Sequence, residues 1–526
     1  MAPGVKAKHA RRRSAAFALD RRSAGVLLHV TSLPGPHGNG DLGPEARRFV
    51  DFLAAGGQRW WQTLPANPVG SGNSPYSGAS AFAGNPLLIS LDDLASLGLL
   101  EAGDVRKTLD ARHASYDESR ALRGAALRRA FERHERAPRR LARALESFRR
   151  DSGYWLGDYA LYMALRDAHA GRPWTAWPRA LARREPRELA RARRTLARDI
   201  AFYELEQLLF RRQWQALRRY ASERGVGLIG DAPIFVAHES ADVWSHAASF
   251  TLDRQGEPTF VAGVPPDYFS KTGQRWGNPL YRWRAHQASG FEWWIERFRT
   301  LLEHFDVIRL DHFIGFMRYW RVPASEKTAE RGSWQPAPGR ALFAAVERAL
   351  GSTPFIAEDL GEVTPAVRAL RDEFGLPGMR VLQFAFGSDV QAGQFLPHCY
   401  IPNTVAYTGT HDNDTFLGWY LDDGSAGPRS PRQARNEKRA ATAYLAGPGA
   451  DELAQPQWEA LRALYGSVAR TVIAPLQDIL GLDNTSRMNS PGSPTGNWEW
   501  RVPPRSLTPR LAKRLHELAR VYERID

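Results

Sequence analysis

The chain has 526 residues, of which 43% are hydrophobic and 24% charged, and its formal net charge of +14 is carried almost wholly by arginine. No run approaches the roughly 20 apolar residues that cross a bilayer. The single cysteine, Cys399, allows neither an intrachain disulfide nor a cysteine metal cluster.

The positive charge has two readings: a polyanion partner, or arginine used for solubility along the whole chain. The second is preferred. The arginines are spread over long helical stretches, and no nucleic-acid recognition signature interleaves them.

Residues 1–22 are basic and lack an apolar core of signal-peptide length. Their composition suits a disordered leader or an organelle transit peptide. The expectation is therefore a cytoplasmic protein, or an organellar one if the leader is a targeting signal. Residues 23–99 read as the first part of a barrel, with apolar strands at 25–30 and 60–64 and an amphipathic helix over Pro44–Ala55 between them. Residues 100–224 are rich in Arg, Ala, Leu and Glu, and read as a mainly helical insertion.

The remainder, 225–526, resumes the strand–helix rhythm. Strands are predicted at 226–231, 307–311, 354–359, 380–384 and 404–408, with a weaker one at 471–475. Helices fall at 291–304, 339–350 and 365–374. The stretch 232–290 carries Gly, Pro and aromatics with little periodicity, and is read as an active-site loop insertion. Near-continuous apolar strands alternating with helices indicate a parallel sheet covered by helices. Eight of them predict an α/β fold, a closed (β/α)8 TIM barrel with helical insertions.

Four strand ends carry acids: Asp231, Asp311, Glu358 and Asp412. In such a barrel they share one mouth. Carboxylates gathered there suit a divalent metal or glycosidic acid/base chemistry. His312 and His411 are available to a metal, yet the loops favour sugars, because aromatic faces pack on the C–H faces of sugar rings. Trp60 and Trp61 read as core residues. Tyr268, Phe269 and Trp276, in a Gly/Pro-rich loop, read as sugar-facing, and Tyr76 also lies in a loop.

Arg309 and Asp311 alternate onto one face of their strand. They form a structural ion pair, or a nucleophile beside a cation that favours its ionised form. Retaining glycosyl transfer needs that nucleophile about 5 Å from a carboxylic acid. Glu358 follows Phe355-Ile356-Ala357 without an adjacent cation, so burial would keep it protonated. Asp412 can bond sugar hydroxyls and help distort the ring.

These residues sit in a set of motifs. They are GVLLHVTSLPGPHGNGDLG at 25–43, NSPYSGASAFAGNPLLI at 73–89, GDAPIFVA at 230–237 and AGVPPDYFSKTGQRWGNPLYRW at 262–283. RLDHF at 309, IAEDLG at 356, GTHDNDT at 409 and RMNSPGSPTGNWEWR at 487–501 complete the set. From about residue 23 to about 505 the chain resembles the 4-α-glucanotransferases, or amylomaltases, of glycoside hydrolase family 77.

The resemblance implies Asp311 as nucleophile, Glu358 as acid/base and Asp412 as transition-state stabiliser. It implies sugar contacts from Ser74, Tyr76, Asp231, Asp267, Tyr268, Phe269, Gln274, Trp276, Arg309, His411 and Asn489. It further implies α-1,4-glucan donors, glucose or maltodextrin acceptors, no cofactor or metal, no nucleic-acid or membrane partner, and no C-terminal β-domain. An α-amylase-like hydrolase and a non-catalytic glucan-binding protein stand as alternatives.

Overall fold

The computed structural model describes residues 17–105, 108–109, 112–136, 141–266, 270–425, 429–493 and 495–525. Its strands, in chain order, are β1 (Ser23–Leu27), β2 (Trp60–Gln62), β3 (Gly227–Ala232), β4 (Phe260–Val264), β5 (Gln274–Pro279) and β6 (Val307–Leu310). There follow β7 (Arg318–Pro323), β8 (Ser333–Pro336), β9 (Phe355–Ala357), β10 (Gly378–Val381), β11 (Thr404–Tyr407) and β12 (Thr471–Pro475).

Eight of these strands close a barrel in the order β1-β12-β11-β10-β9-β6-β3-β2. Its neighbours pair in parallel all the way round. Every one of the eight predicted strands is a barrel strand, the weak one at 471–475 included. The fold is a (β/α)8 barrel.

Close packing explains two glycines in these strands. A Cβ on Gly25 of β1 would lie 2.5 Å from both Cβ and the carbonyl oxygen of Trp60 on β2. One on Gly230 of β3 would lie 2.3 Å from the Phe305 ring. In each case the missing side chain makes room for a neighbouring aromatic residue.

The helices between β2 and β3 end in one of 27 residues, Ala197–Glu223. Two glutamines fasten it to the chain that follows β2. Gln207 pairs through both amide atoms with the backbone of Gly84, at 2.8 and 2.9 Å. Gln213 does the same with Ser90, at 2.7 and 3.0 Å. A buried backbone segment outside regular structure is satisfied this way.

Two features differ from the sequence reading. The strand predicted at 380–384 begins at Gly378 and stops at Val381, where its partner β11 ends at Tyr407. Leu382–Phe386 then turn into a 3-10 helix. Secondly, the stretch 232–290 is not all loop. β4 and β5 lie in an antiparallel sheet, order β5-β4-β7-β8, with the hairpin that follows β6. No apolar alternation announces it, because β5 is mostly half-exposed and the β4–β5 register shifts between Val261 and Gly263.

Past β12 the described chain ends in the helix Pro509–Val521, and no β-domain follows among the described residues. Arg524 then closes the bottom of the barrel. Its guanidinium is buried and donates to the carbonyls of Ser23, Leu464, Tyr465 and Ala469. Among the described residues no helix is long and apolar enough to cross a membrane.

Gly25→Ala forces β1 and β2 apart. A lower urea midpoint is expected, corresponding to a loss of about 1–3 kcal/mol. An unchanged midpoint would show that the barrel wall yields at this point.

Candidate active site

The barrel register places the acids. Asp231 of β3 pairs with Arg309 of β6, and Leu310 of β6 pairs with Ala357 of β9. Asp311 and Glu358 each follow by one residue. They therefore leave neighbouring strands at the same level, which are about 5 Å apart.

Arg309 joins the first two acids. Its Nη1 donates to both oxygens of Asp231, at 2.9 and 2.7 Å, and to Oδ1 of Asp311 at 3.0 Å. The Tyr76 hydroxyl donates to Asp231 Oδ2 at 2.8 Å. The Asp231 side chain is wholly covered, whereas that of Asp311 keeps 27% of its surface exposed. Burial would pull the Arg309 guanidinium down, but Asp231 and Asp311 more than reverse this and hold it charged. Burial, reinforced by Asp231, pushes the Tyr76 phenol well up, so it remains a hydrogen-bond donor.

Glu358 accepts a hydrogen bond at Oε2 from the His312 amide, at 2.6 Å. Burial raises its carboxyl well above the ordinary carboxylate range. Arg309 and the amide oppose that rise, and the like charge of Asp311 adds to it. The neighbourhood thus favours a protonated Glu358 beside Asp311.

The third acid stands on the loop after β11. Asp412 Oδ1 accepts from Asn489 Nδ2 at 2.6 Å, and Oδ2 lies 3.3 Å from His411 Nε2. With 44% of its side chain exposed, Asp412 opens onto the mouth. Arg487 ties this loop to the one after β12. It donates to the carbonyls of Asp412 and Asn489, at 2.5 and 2.7 Å, and to Asp414 Oδ1 at 2.5 Å. His411 stacks on Tyr76, with centroids 5.2 Å apart and planes 13° from parallel, and Trp498 packs against both rings. Behind them His29 is buried against Thr63. Burial, then His411, pulls its imidazole down to about 3, so it is neutral.

The small sheet covers the mouth. On β5, Trp276 meets the edge of His312 at 4.9 Å and donates to Gln274 Oε1 at 3.2 Å, with 37% of its surface exposed. Ser74 Oγ accepts from the Tyr76 amide at 3.2 Å.

Among the sequence-predicted residues, Ser74, Tyr76, Asp231, Arg309, Asp311, Glu358, His411, Asp412 and Asn489 thus line or support one mouth, with Trp276 and Gln274 over it. Trp60 and Trp61 are core residues, as read. Asp267, Tyr268 and Phe269 lie outside the described residues. Asp231, expected as a sugar contact, has its oxygens engaged by Arg309 and Tyr76 and its side chain covered. The two histidines open to a metal pack instead on Trp276 and Tyr76, and among the described residues no three His, Cys, Asp or Glu are grouped for a metal.

Sequence reasoning missed Arg487, Trp498, His29 and Phe235, which packs between Trp276 and Tyr281. Arg487 and Trp498 lie inside the RMN motif already quoted. A cation two residues from Asn489 was the available signal.

A closed parallel barrel whose strand-end mouth gathers carboxylates, an arginine and aromatic rings defines the class of barrel enzymes that cleave or transfer glycosides. A family model described as 4-alpha-glucanotransferase matches residues 28–508. The 4-alpha-glucanotransferase of Thermus thermophilus is 48% identical over 96% of this chain and 99% of its own. That of Synechocystis sp. is 45% identical over 96% and 99%. The solved structure of the amylomaltase from Streptococcus agalactiae, in complex with acarbose, superposes with a TM-score of 0.90 at 37% identity, covering 96% of this chain and all of that one. The chain belongs to the 4-α-glucanotransferase family, glycoside hydrolase family 77, and its activity is 4-α-glucan transfer.

Arg487→Ala unties the Asp412 loop without removing a carboxylate. Displacement of about 1 Å at a reacting centre costs up to about a hundredfold in rate. A fall of that order in kcat on maltotriose is expected, with KM little changed. A variant with wild-type kcat would mean that Asn489 alone holds Asp412.

Proposed function

We propose that Asp311 attacks C1 of an α-1,4-linked glucosyl unit while Glu358 protonates the departing O4. The C1–O4 bond breaks and a β-linked glycosyl-enzyme forms on Asp311. Glu358, now ionised, takes the proton from the 4-hydroxyl of an incoming glucose or maltodextrin. That oxygen displaces Asp311 at C1 and restores an α-1,4 bond. Donors are maltodextrins, amylose or glycogen. The bond made is like the bond broken, so the cycle is close to balanced without a nucleotide sugar.

The observation that carries this reading is the Leu310–Ala357 pairing, which sets Asp311 and Glu358 on adjacent strands at one level. Strands so paired lie about 5 Å apart, and retaining glycosyl transfer needs a nucleophile and an acid about 5 Å from one another, with no water seated between them. Asp412, held by Asn489 and next to His411, bonds the hydroxyls of the reacting sugar as it flattens. Asp231 acts through Arg309 and Tyr76, fixing the guanidinium that serves Asp311. Ser74, Gln274, Trp276 and the 267–269 segment contact the glucan.

The sheet over the mouth favours an acceptor sugar over water, because Trp276 offers a ring face that a sugar covers and water does not. The hydrolase reading has no such use for it. We also place the enzyme in a reducing cytoplasm, which the lone exposed thiol of Cys399 suits.

Incubation with maltotriose separates the alternatives. Transfer gives glucose and a ladder of longer maltodextrins, whereas glucose and maltose alone would mark a hydrolase. Asp311→Asn should abolish both while retaining glucan binding, and full turnover in that variant would remove Asp311 from the mechanism.

The pH profile tests Glu358. The acid works protonated in the free enzyme, so kcat/KM falls as pH rises through its pKa. With that pKa raised by burial, the alkaline limb is expected well above the ordinary glutamate value of about 4.3. A limb at the ordinary value would show Glu358 to be solvated.

A further inference from the structure

The residue after Asp311 has an unusual backbone. His312 sits at φ 47° and ψ 54°, the left-handed region that residues other than glycine seldom occupy. Three consecutive amides show what this does. The Asp311 amide donates across to the Ala232 carbonyl on the β3 side, at 3.1 Å. In an extended strand the next two would point to opposite neighbours. Here both turn to Glu358: the His312 amide to its carboxyl at 2.6 Å, and the Phe313 amide to its carbonyl at 3.1 Å. The left-handed residue thus turns two successive amides toward one residue, one to its side chain and one to its main chain.

We propose that the left-handed backbone of His312 is a positioning device for Glu358, aiming one amide at Oε2 so that the catalytic proton resides on Oε1. The inference rests on the reading of Glu358 as acid/base. A protonated carboxyl has one O–H, and the oxygen that accepts an N–H is its carbonyl oxygen. The amide therefore distinguishes two otherwise equivalent oxygens. It stays in place after the proton leaves and then favours the ionised form. The other charged groups facing this carboxyl are Arg309 of β6 and Asp311 just past its end. Asp359, beside it in sequence, is paired with Arg371 and Arg380. Turning the 311–312 peptide removes only the amide.

The imidazole has separate surroundings. It is packed edge-on against Trp276, and burial pulls it down to about 4, so it is neutral. Substitutions can therefore divide ring from backbone. Glycine and asparagine both delete the ring but accept a positive φ, whereas valine deletes it and opposes that φ.

The test compares His312→Gly, His312→Asn and His312→Val on two donors. Maltotriose needs its leaving oxygen protonated. α-Maltosyl fluoride does not, and its first-turnover fluoride release reports folding and nucleophile together. The glycine and asparagine variants should keep kcat on maltotriose within about fivefold of wild type, with an unmoved alkaline limb. The valine variant should lose about a hundredfold, the scale of a misplaced general acid, and its limb should move to higher pH. Its fluoride release should stay near wild type.

If valine fails to fold, His312→Ala, with a milder backbone conflict, is expected to show the same split. Equal losses in all the variants would assign the effect to the ring and overturn the proposal. So would a branched variant that matches glycine, or one that loses fluoride release as far as maltotriose turnover. A wild type that leaves maltotriose untouched would instead overturn the functional reading.

Discussion

One guanidinium organises this mouth. Arg309 is buried between a carboxylate that never meets solvent, Asp231, and one that does, Asp311. A buried cation is tolerable only when its charge is matched and its donors are used. Asp231 supplies the matching charge and Tyr76 completes its hydrogen bonding. Removing one partner of such a buried set costs about 3–5 kcal/mol, because the remaining charge is left unpaired. The constraint therefore couples stability to chemistry: the arrangement that makes Arg309 bearable also holds a cation against Asp311.

The environments of Asp311 and Glu358 diverge. Asp311 lies within hydrogen-bonding distance of Arg309, while Glu358 is buried, touched by one amide, and feels Arg309 only at longer range. Two carboxyls on neighbouring strands at one level would otherwise behave alike. Burial raises the Glu358 carboxyl, with Arg309 opposing the rise, and this marks it as the acid of the pair.

The barrel was legible in the sequence because its strands are buried on both faces and read as short apolar runs. Even 471–475 met that test, since all five residues are buried in the structure. The small sheet was not, because its strands carry Gly, Pro and Trp and present no clean alternation. The acids at strand ends could be found by position alone. The partnership of Asp231 with Arg309 could not, because it joins residues 78 positions apart that only the β3–β6 register brings together. Arg487 was hidden differently. Two of its three partners are backbone carbonyls, and its one acidic partner, Asp414, lies 73 positions away on the loop after β11.

The covering sheet draws its strands from two separate excursions, one leaving β3 and the other leaving β6. Both excursions are rooted in strands that border Asp311. The β7–β8 hairpin is the outer half of this awning and takes no part in barrel pairing. Within it β7 also pairs with β4, whereas β8 is the sheet's edge, so the β8 end is the part whose length can vary. Trimming or extending it would reshape the porch through which acceptors arrive, while the furnace beneath is left standing.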